Sequence, residues 1–477
     1  FITMHKLCNN FFKYLITKLL VFIYILLIIK IDLGAQEIPI EHYDFKIKKF
    51  LSYSDLNWEK MTTFGPIRFD AVCEMDTLKK QTFVYHSQYG LNINNDNFSL
   101  NVFGRYIIKN KFYGYHYSRL VNNPSSVERF SGLQRDIHRG GFTAGETDLS
   151  GIGYNNDWLI IQLGRGRQNW GAGNDIQTVL SEKSQPYDYG MISLNLEGIR
   201  ARCINGYLES DSIGYNRYIT ARGIEWSNQK SLVLSLSEIV VYSGLNRPID
   251  IAYFNPFISH LEVELNRKNN DVVLSDDRSW NNGNGIWQSS LEYKVNKFLN
   301  VSLNFIIDEF VLDNIEKKAG KEHGLGSSGK ISYTNNRSVN RKIIQSFSFV
   351  AIGTPTFRHG NGINNFVIRG KPIGWEYGSD TFEIKYSLNY LKSDSLFAAL
   401  NFGFRESGSE SIVSRPYEKY EDYTKSSYPS GETESYLFFD SKIELFYKNN
   451  FSFNLKFLSK YYSCLLYTSP SPRDKRQ

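Results

Sequence analysis

The stretch Phe382-Glu-Ile-Lys-Tyr-Ser-Leu-Asn-Tyr390 decides the fold class. Phe382, Ile384, Tyr386, Leu388 and Tyr390 alternate with Glu383, Lys385, Ser387 and Asn389, a period of two that belongs to a strand. The same alternation sets Leu232, Leu234 and Leu236 against Ser231, Ser235 and Ser237, and Val301, Leu303, Phe305 and Ile307 against Ser302 and Asn304. Lys442, Glu444 and Asn454 are polar insertions of the same kind in the last strands. A polar face that carries full charges suits a water-filled lumen, whereas a soluble sandwich would turn that face to solvent.

Composition points the same way. The chain is 15% aromatic, with 32 Tyr and 33 Phe, and after the N-terminus it has no stretch long and apolar enough for a membrane helix. Lys317 to Arg341, Arg405 to Glu434 and Asn266 to Asn284 read as long polar loops, while Asn449-Asn450 joins two strands tightly. Long loops at one end and short turns at the other are the asymmetry of an outer-membrane barrel. The expected fold is therefore all-β, a transmembrane outer-membrane β-barrel of roughly 16 to 18 antiparallel strands with a small N-terminal helical element.

Both ends are set aside in this reading. Met4 is the expected start of a signal peptide over residues 1–35, with Lys6, Lys13 and Lys18 ahead of the apolar run Leu19 to Ile29 and Gly34-Ala35 at the cleavage site. That run falls short of the roughly 20 residues a spanning helix needs. Residues 36–70 carry short helix-compatible patterns and read as a periplasmic segment, and 71–463 as the barrel. Residues 464–477 read like a translated sequencing adapter, so the alternating run Phe451-Ser-Phe-Asn-Leu-Lys-Phe457 is expected to continue by a strand or two in the natural chain. Without the two ends the formal charge of +6 falls close to neutral, and a case for nucleic acid disappears. Of the four cysteines Cys73 and Cys203 remain, either bonded to each other or as two lone thiols.

Three motifs carry a resemblance. Gly164-Arg-Gly-Arg-Gln-Asn-Trp-Gly-Ala-Gly173 is followed by Ser181-Glu-Lys-Ser-Gln-Pro-Tyr-Asp188, then by Tyr253-Phe-Asn-Pro-Phe257 and by Gly370-Lys-Pro-Ile-Gly-Trp-Glu-Tyr-Gly-Ser-Asp380. In this order the chain resembles the capsule assembly Wzi family of outer-membrane barrels, in the form seen in Bacteroidetes-like Gram-negative bacteria. The resemblance implies a barrel that binds capsular or exopolysaccharide and attaches it to the cell surface. It implies as partners that polysaccharide, outer-membrane lipid or lipopolysaccharide and other capsule-export components. A porin-like channel for anionic solutes is the alternative, and a barrel enzyme acting on lipid or glycan a third.

Candidate contacts follow from residue chemistry. Gly164, Gly166, Gly171 and Gly173 allow positive φ or close approach. Arg165 and Arg167 lie two apart, so on extended backbone they share one face, placed in the lumen, where they could bind carboxylates of an acidic polysaccharide or brace the wall by pairing with Asp or Glu. Trp170 either stacks on a sugar or wedges the turn. Tyr417, Tyr420 and Tyr423 in the loop from Arg415 to Tyr436 are the expected outward saccharide contacts.

The remaining motif positions are structural expectations. Ser181 and Pro186 follow the glycines; Tyr253, Asn255, Pro256 and Phe257 read as a turn at the membrane interface with aromatics in the girdle. Gly370, Gly374 and Gly378, leading to Asp380, read either as a folded-in loop or as the kinked start of a strand. No Gly-x-Ser-x-Gly, His-Glu-x-x-His or phosphate-loop signature is present, so no catalytic role, metal or cofactor is expected.

Overall fold

The computed structural model describes residues 63–65, 83–94, 97–109, 111–126, 130–131, 141–173, 175–255, 258–263, 283–309, 318, 322–338, 341–360, 362–392, 396–418, 428–447 and 451–462. The expected signal peptide, the tail and most of 36–70 lie outside them. Within 36–70 the described Phe64–Gly65 is a short strand.

Among the described residues seventeen strands form the wall of one barrel. They are β1 (Phe83–Asn94), β2 (Asn97–Ile108), β3 (Phe112–Val121), β4 (Ala144–Asn155), β5 (Leu159–Gly166) and β6 (Tyr187–Leu196). Next come β7 (Ile199–Ser210), β8 (Tyr215–Ser227), β9 (Leu232–Leu245), β10 (Asn284–Lys294), β11 (Leu299–Glu309) and β12 (Gly324–Ser338). The wall ends with β13 (Arg341–Ile352), β14 (Thr381–Lys392), β15 (Leu396–Ser407), β16 (Glu434–Tyr447) and β17 (Phe451–Tyr462). Each pairs antiparallel with the next in the chain, from β1–β2 through β16–β17.

Side-chain exposure runs opposite to that of a soluble protein. On β9, Leu234 and Leu236 are 39% and 48% exposed, while Ser235 and Ser237 are 9% and 3% exposed. A wall that shows leucine outside and hides serine has hydrocarbon as its outer solvent. No described helix is long and apolar enough to cross a membrane.

Connections divide by end. At one end all are short: 109–111, 156–158, 197–198, 228–231, 295–298, 339–340, 393–395 and 448–450. At the other lie 122–143, 167–186, 246–283, 310–323, 353–380 and 408–433, besides the short 95–96 and 211–214. By the rule for such barrels the first end is periplasmic and the second extracellular. The expected loop Lys317 to Arg341 is corrected, because Gly324–Ser338 within it is a strand. Its Gly, Ser and Thr residues hid the alternation: Ile331 and Tyr333 face out, while Ser328, Lys330 and Ser332 are buried inside.

A lumen-filling plug and the cleft beside it

The glycine-rich motif leaves β5 and turns into the barrel, so much of the expected water-filled lumen is occupied by protein. Trp170 is fully buried, its ring 4.7 Å from that of Phe64. Phe64–Gly65 pairs antiparallel with Asn169–Trp170, and Gly171 N–H donates to the Thr63 carbonyl at 2.8 Å. Polar side chains of the wall then satisfy the plug backbone. Ala172 N–H donates to Asn304 Oδ1 at 2.6 Å, Gly173 N–H to Glu292 Oε2 at 2.9 Å, and Ser328 Oγ to the Ile176 carbonyl at 2.7 Å. The serines and asparagines of the inner face are thus the partners a buried backbone requires.

A second layer comes from 353–380. Trp375 N–H donates to the Thr178 carbonyl at 2.8 Å and Ser181 N–H to the Ile373 carbonyl at 3.2 Å. Val367–Ile368 and Lys371–Pro372 form a small hairpin above. Two glycines are fixed by this packing. Gly171 has φ +127° with Asn304 2.9 Å from where a Cβ would stand, and a Cβ at Gly374 would run into the Thr178 carbonyl oxygen. Between the folded-in loop and the kinked strand start, the structure selects the loop. Asp380 closes it: its carboxylate accepts from Thr354 Oγ1 at 2.8 Å and from Ser430 N–H at 2.9 Å, tying 353–380 to 408–433.

The two arginines do not share a face. Arg165 is the outward residue after Leu163 on β5 and pairs with Asp188 at 3.0 Å on the outer surface of the wall. Arg167 lies past the strand end, is buried inside, pairs with Asp148 and donates from Nε to the Ser184 carbonyl at 2.6 Å. The alternation rule that placed both in the lumen holds only while the chain stays extended, and β5 ends at Gly166. Arg167 therefore braces the plug, and Trp170 wedges it.

Near the outer end Tyr417 Oη donates to Glu209 Oε1 at 2.9 Å and accepts from Gly370 N–H at 2.9 Å, with Arg217 5.3 Å from its ring centroid. Arg369 N–H shares Glu209, and burial, then the nearby Arg165 guanidinium, lower the Arg369 pKa from its ordinary value. Tyr420 and Tyr423, expected beside Tyr417, lie outside the described residues, as do Pro256 and Phe257. Tyr253 does not join a girdle: it is buried against Tyr242, the rings stacked 4.3 Å apart. Cys203 is a free thiol, and Cys73 lies outside the described residues.

Between the plug and the inner faces of β12 to β17 a cavity of about 370 Å³ remains. From the plug side come Lys183, Glu376, Trp375 and Tyr377, and from the wall Lys385 and Arg405. The Arg405 guanidinium lies 3.1 Å from the Tyr377 ring centroid, donates from Nε to Glu383 Oε2 at 2.8 Å and reaches Tyr436 Oη at 2.5 Å. Lys385 Nζ is 3.8 Å from Glu383, and Lys183 Nζ 3.9 Å from Glu376. The buried Trp375 Nε1–H has no hydrogen-bond partner among the described residues. Aromatic faces, both signs of charge and a spare buried donor make a site of ligand-pocket size, within the usual ~300–1,000 Å³. Sequence reasoning saw Glu383 and Lys385 as lumenal but missed Trp375, Tyr377 and Arg405, because three separate segments bring them together.

These features define a class, the outer-membrane β-barrel with a lumen filled by its own loops. No protein-family model matches the chain, and no curated protein sequence matches it. Among solved structures it is similar to Wzi of Escherichia coli, an outer membrane protein involved in group 1 capsule assembly and described as a carbohydrate-binding β-barrel. That likeness covers 90% of this chain and 96% of Wzi, with a TM-score of 0.56 and 11% identity. OprD of Pseudomonas aeruginosa aligns over 80% of this chain and 88% of its own, with a TM-score of 0.39 and 9% identity. A loop-deletion mutant of OmpT from Vibrio cholerae aligns over 68% and 94%, with a TM-score of 0.36 and 8% identity. At such identities the likeness to Wzi shows the fold alone.

Proposed function

We propose that this barrel binds a capsular or related exopolysaccharide and holds it at the cell surface, without enzymatic turnover. The observation that carries the reading is the plug. A loop hydrogen-bonded to the wall along its length is built to stay, and what it leaves is an aromatic, mixed-charge cleft suited to sugar faces, hydroxyls and carboxylates. The rim group of Arg165, Arg369 and Tyr417 offers further contacts to an acidic polymer, and weak contacts along one chain sum to firm attachment. The carbohydrate-binding description of Wzi supports the same reading.

The anion-channel alternative is less well supported by the charges, since Arg119, Arg167 and Arg217 are paired with Glu146, Asp148 and Glu209. The deciding experiment deletes the gene in its source organism and weighs surface polysaccharide in the cell pellet against that in the medium. A shift from pellet to medium at unchanged total is expected. An unchanged partition overturns attachment and leaves the channel, while labelling of the purified barrel by a serine-reactive probe would reopen the enzymatic reading.

A further inference from the structure

One connection folds over the outside of the barrel. Low on the outward faces of β8 and β9, Ile224, Trp226, Leu234 and Leu236 are apolar and exposed, as a lipid belt requires. Higher on the same faces stand Tyr218, Thr220, Arg222 and Glu238, all buried. What covers them is 246–255 and 258–263. Tyr218 Oη donates to the Arg247 carbonyl at 2.8 Å, Thr220 Oγ1 to the Tyr253 carbonyl at 3.3 Å and Arg222 Nη1 to the Asn255 carbonyl at 2.9 Å. Arg222 Nε donates to Glu238 Oε2 at 2.6 Å, and His260 Nδ1 lies 2.7 Å from Glu238 Oε1. A short 3-10 helix, Ile251–Phe254, capped by Asp250 Oδ1 at 3.1 Å from Ala252 N–H, satisfies more of the segment internally.

The direction of these bonds matters. Polar and charged side chains on a lipid-facing wall are costly, and so is irregular backbone at membrane depth, unless each satisfies the other. Here side chains of the wall donate to carbonyls of the covering segment. Its own outer surface is mostly apolar: Ile249, Phe254 and Leu261 are about half exposed and Ile251 is 81% exposed, with Asn246, Asn255 and Glu262 the exposed polar side chains among the described residues. Glu262 is the one exposed ionisable side chain among the described residues of 246–263. Beside it, Trp287, the ladder partner of Glu238, continues the apolar belt.

We propose that residues 246–263 form a strap immersed in the outer leaflet, with Ile251, Phe254 and Leu261 against acyl chains and the Arg222–Glu238–His260 group sealed beneath. Lipid is the occupant because the strap's apolar surface is continuous with the belt of the wall and carries almost no charge for an aqueous or polar partner.

The full chain, refolded into dimyristoylphosphatidylcholine vesicles, tests this. Ile251→Cys in a background with Cys8, Cys73, Cys203 and Cys464 all replaced by Ser is labelled with a nitroxide, and its collisions with oxygen and with a water-soluble nickel chelate are compared. Oxygen access several-fold above nickel access is expected at position 251, and the reverse for Ile213→Cys on the outer connection 211–214. Nickel access matching the Ile213→Cys control overturns the proposal, and so does low access to both reagents, which places protein on the strap. Ile251→Trp with the native cysteines kept gives an independent reading: brominated lipid quenches the added fluorescence if the strap is immersed and leaves it unchanged if it is not.

Discussion

Arg167 pairs with Asp148 inside the barrel, whereas Arg165, two residues earlier, pairs with Asp188 outside it. The wall is crossed at Gly166, where the strand ends and the plug begins. Breaking the inner pair takes one guanidinium from a buried carboxylate that also meets Arg119 at 3.2 Å. Arg167→Ala is expected to cost about 3–5 kcal/mol locally. It should lower the temperature at which the barrel loses its folded mobility on gels, and Arg165→Ala, at the exposed pair, should shift that temperature far less.

The plug is expected to set conductance. In planar bilayers the intact barrel is expected to pass little stepwise current, and replacement of 168–185 by a short Gly-Ser linker to produce large, stable steps. Equal current from both proteins would mean that the loop does not block the lumen.

Gly374→Ala places a methyl group against the Thr178 carbonyl between the two plug layers. Overpacking of this kind costs roughly 1–3 kcal/mol. Thermal unfolding followed by circular dichroism should show the loss, while Gly360→Ala, where nothing lies within 4 Å of the added carbon, should be near neutral.

The cleft predicts a charge-dependent affinity. Lys385→Gln and Tyr377→Ala are each expected to weaken binding of an acidic polysaccharide to the purified barrel several-fold, with the lysine effect fading at high salt and the tyrosine effect persisting. Calorimetric titration at two salt concentrations checks both. Unaltered binding by either variant would move the contact surface to the rim around Tyr417.

Beneath the strap, Arg222→Leu leaves Glu238 with His260 alone among the described residues and is expected to destabilise by about 3–5 kcal/mol. The double variant Arg222→Leu/Glu238→Leu should recover much of that loss, because two buried charges leave together. A double-mutant cycle on unfolding temperature measures the coupling.

Much of the wall was legible in the chain. The alternation at Phe382 to Tyr390 and at Leu232 to Ser237 placed charged and serine residues on one face and apolar residues on the other, and the structure has them there, with the apolar set outside. The strand Gly324–Ser338 escaped because glycine, serine and threonine carry little hydrophobic contrast, so a period of two could not be read from them. The expected contacts at Tyr420 and Tyr423 lie outside the described residues, and of the cleft beside the plug only the inward Glu383 and Lys385 were legible.

The sequence by itself determined the barrel, since a two-residue period depends only on local backbone geometry and on which solvent each face meets. It also marked the glycine motifs as places where backbone runs close to other atoms. Tertiary structure alone decided that 167–186 turns inward to fill the lumen and that 246–263 turns outward to cover the wall. Their directions are set by partners far away in sequence, such as Asn304 for Ala172 and Thr220 for Tyr253, and local pattern carries no record of such pairings.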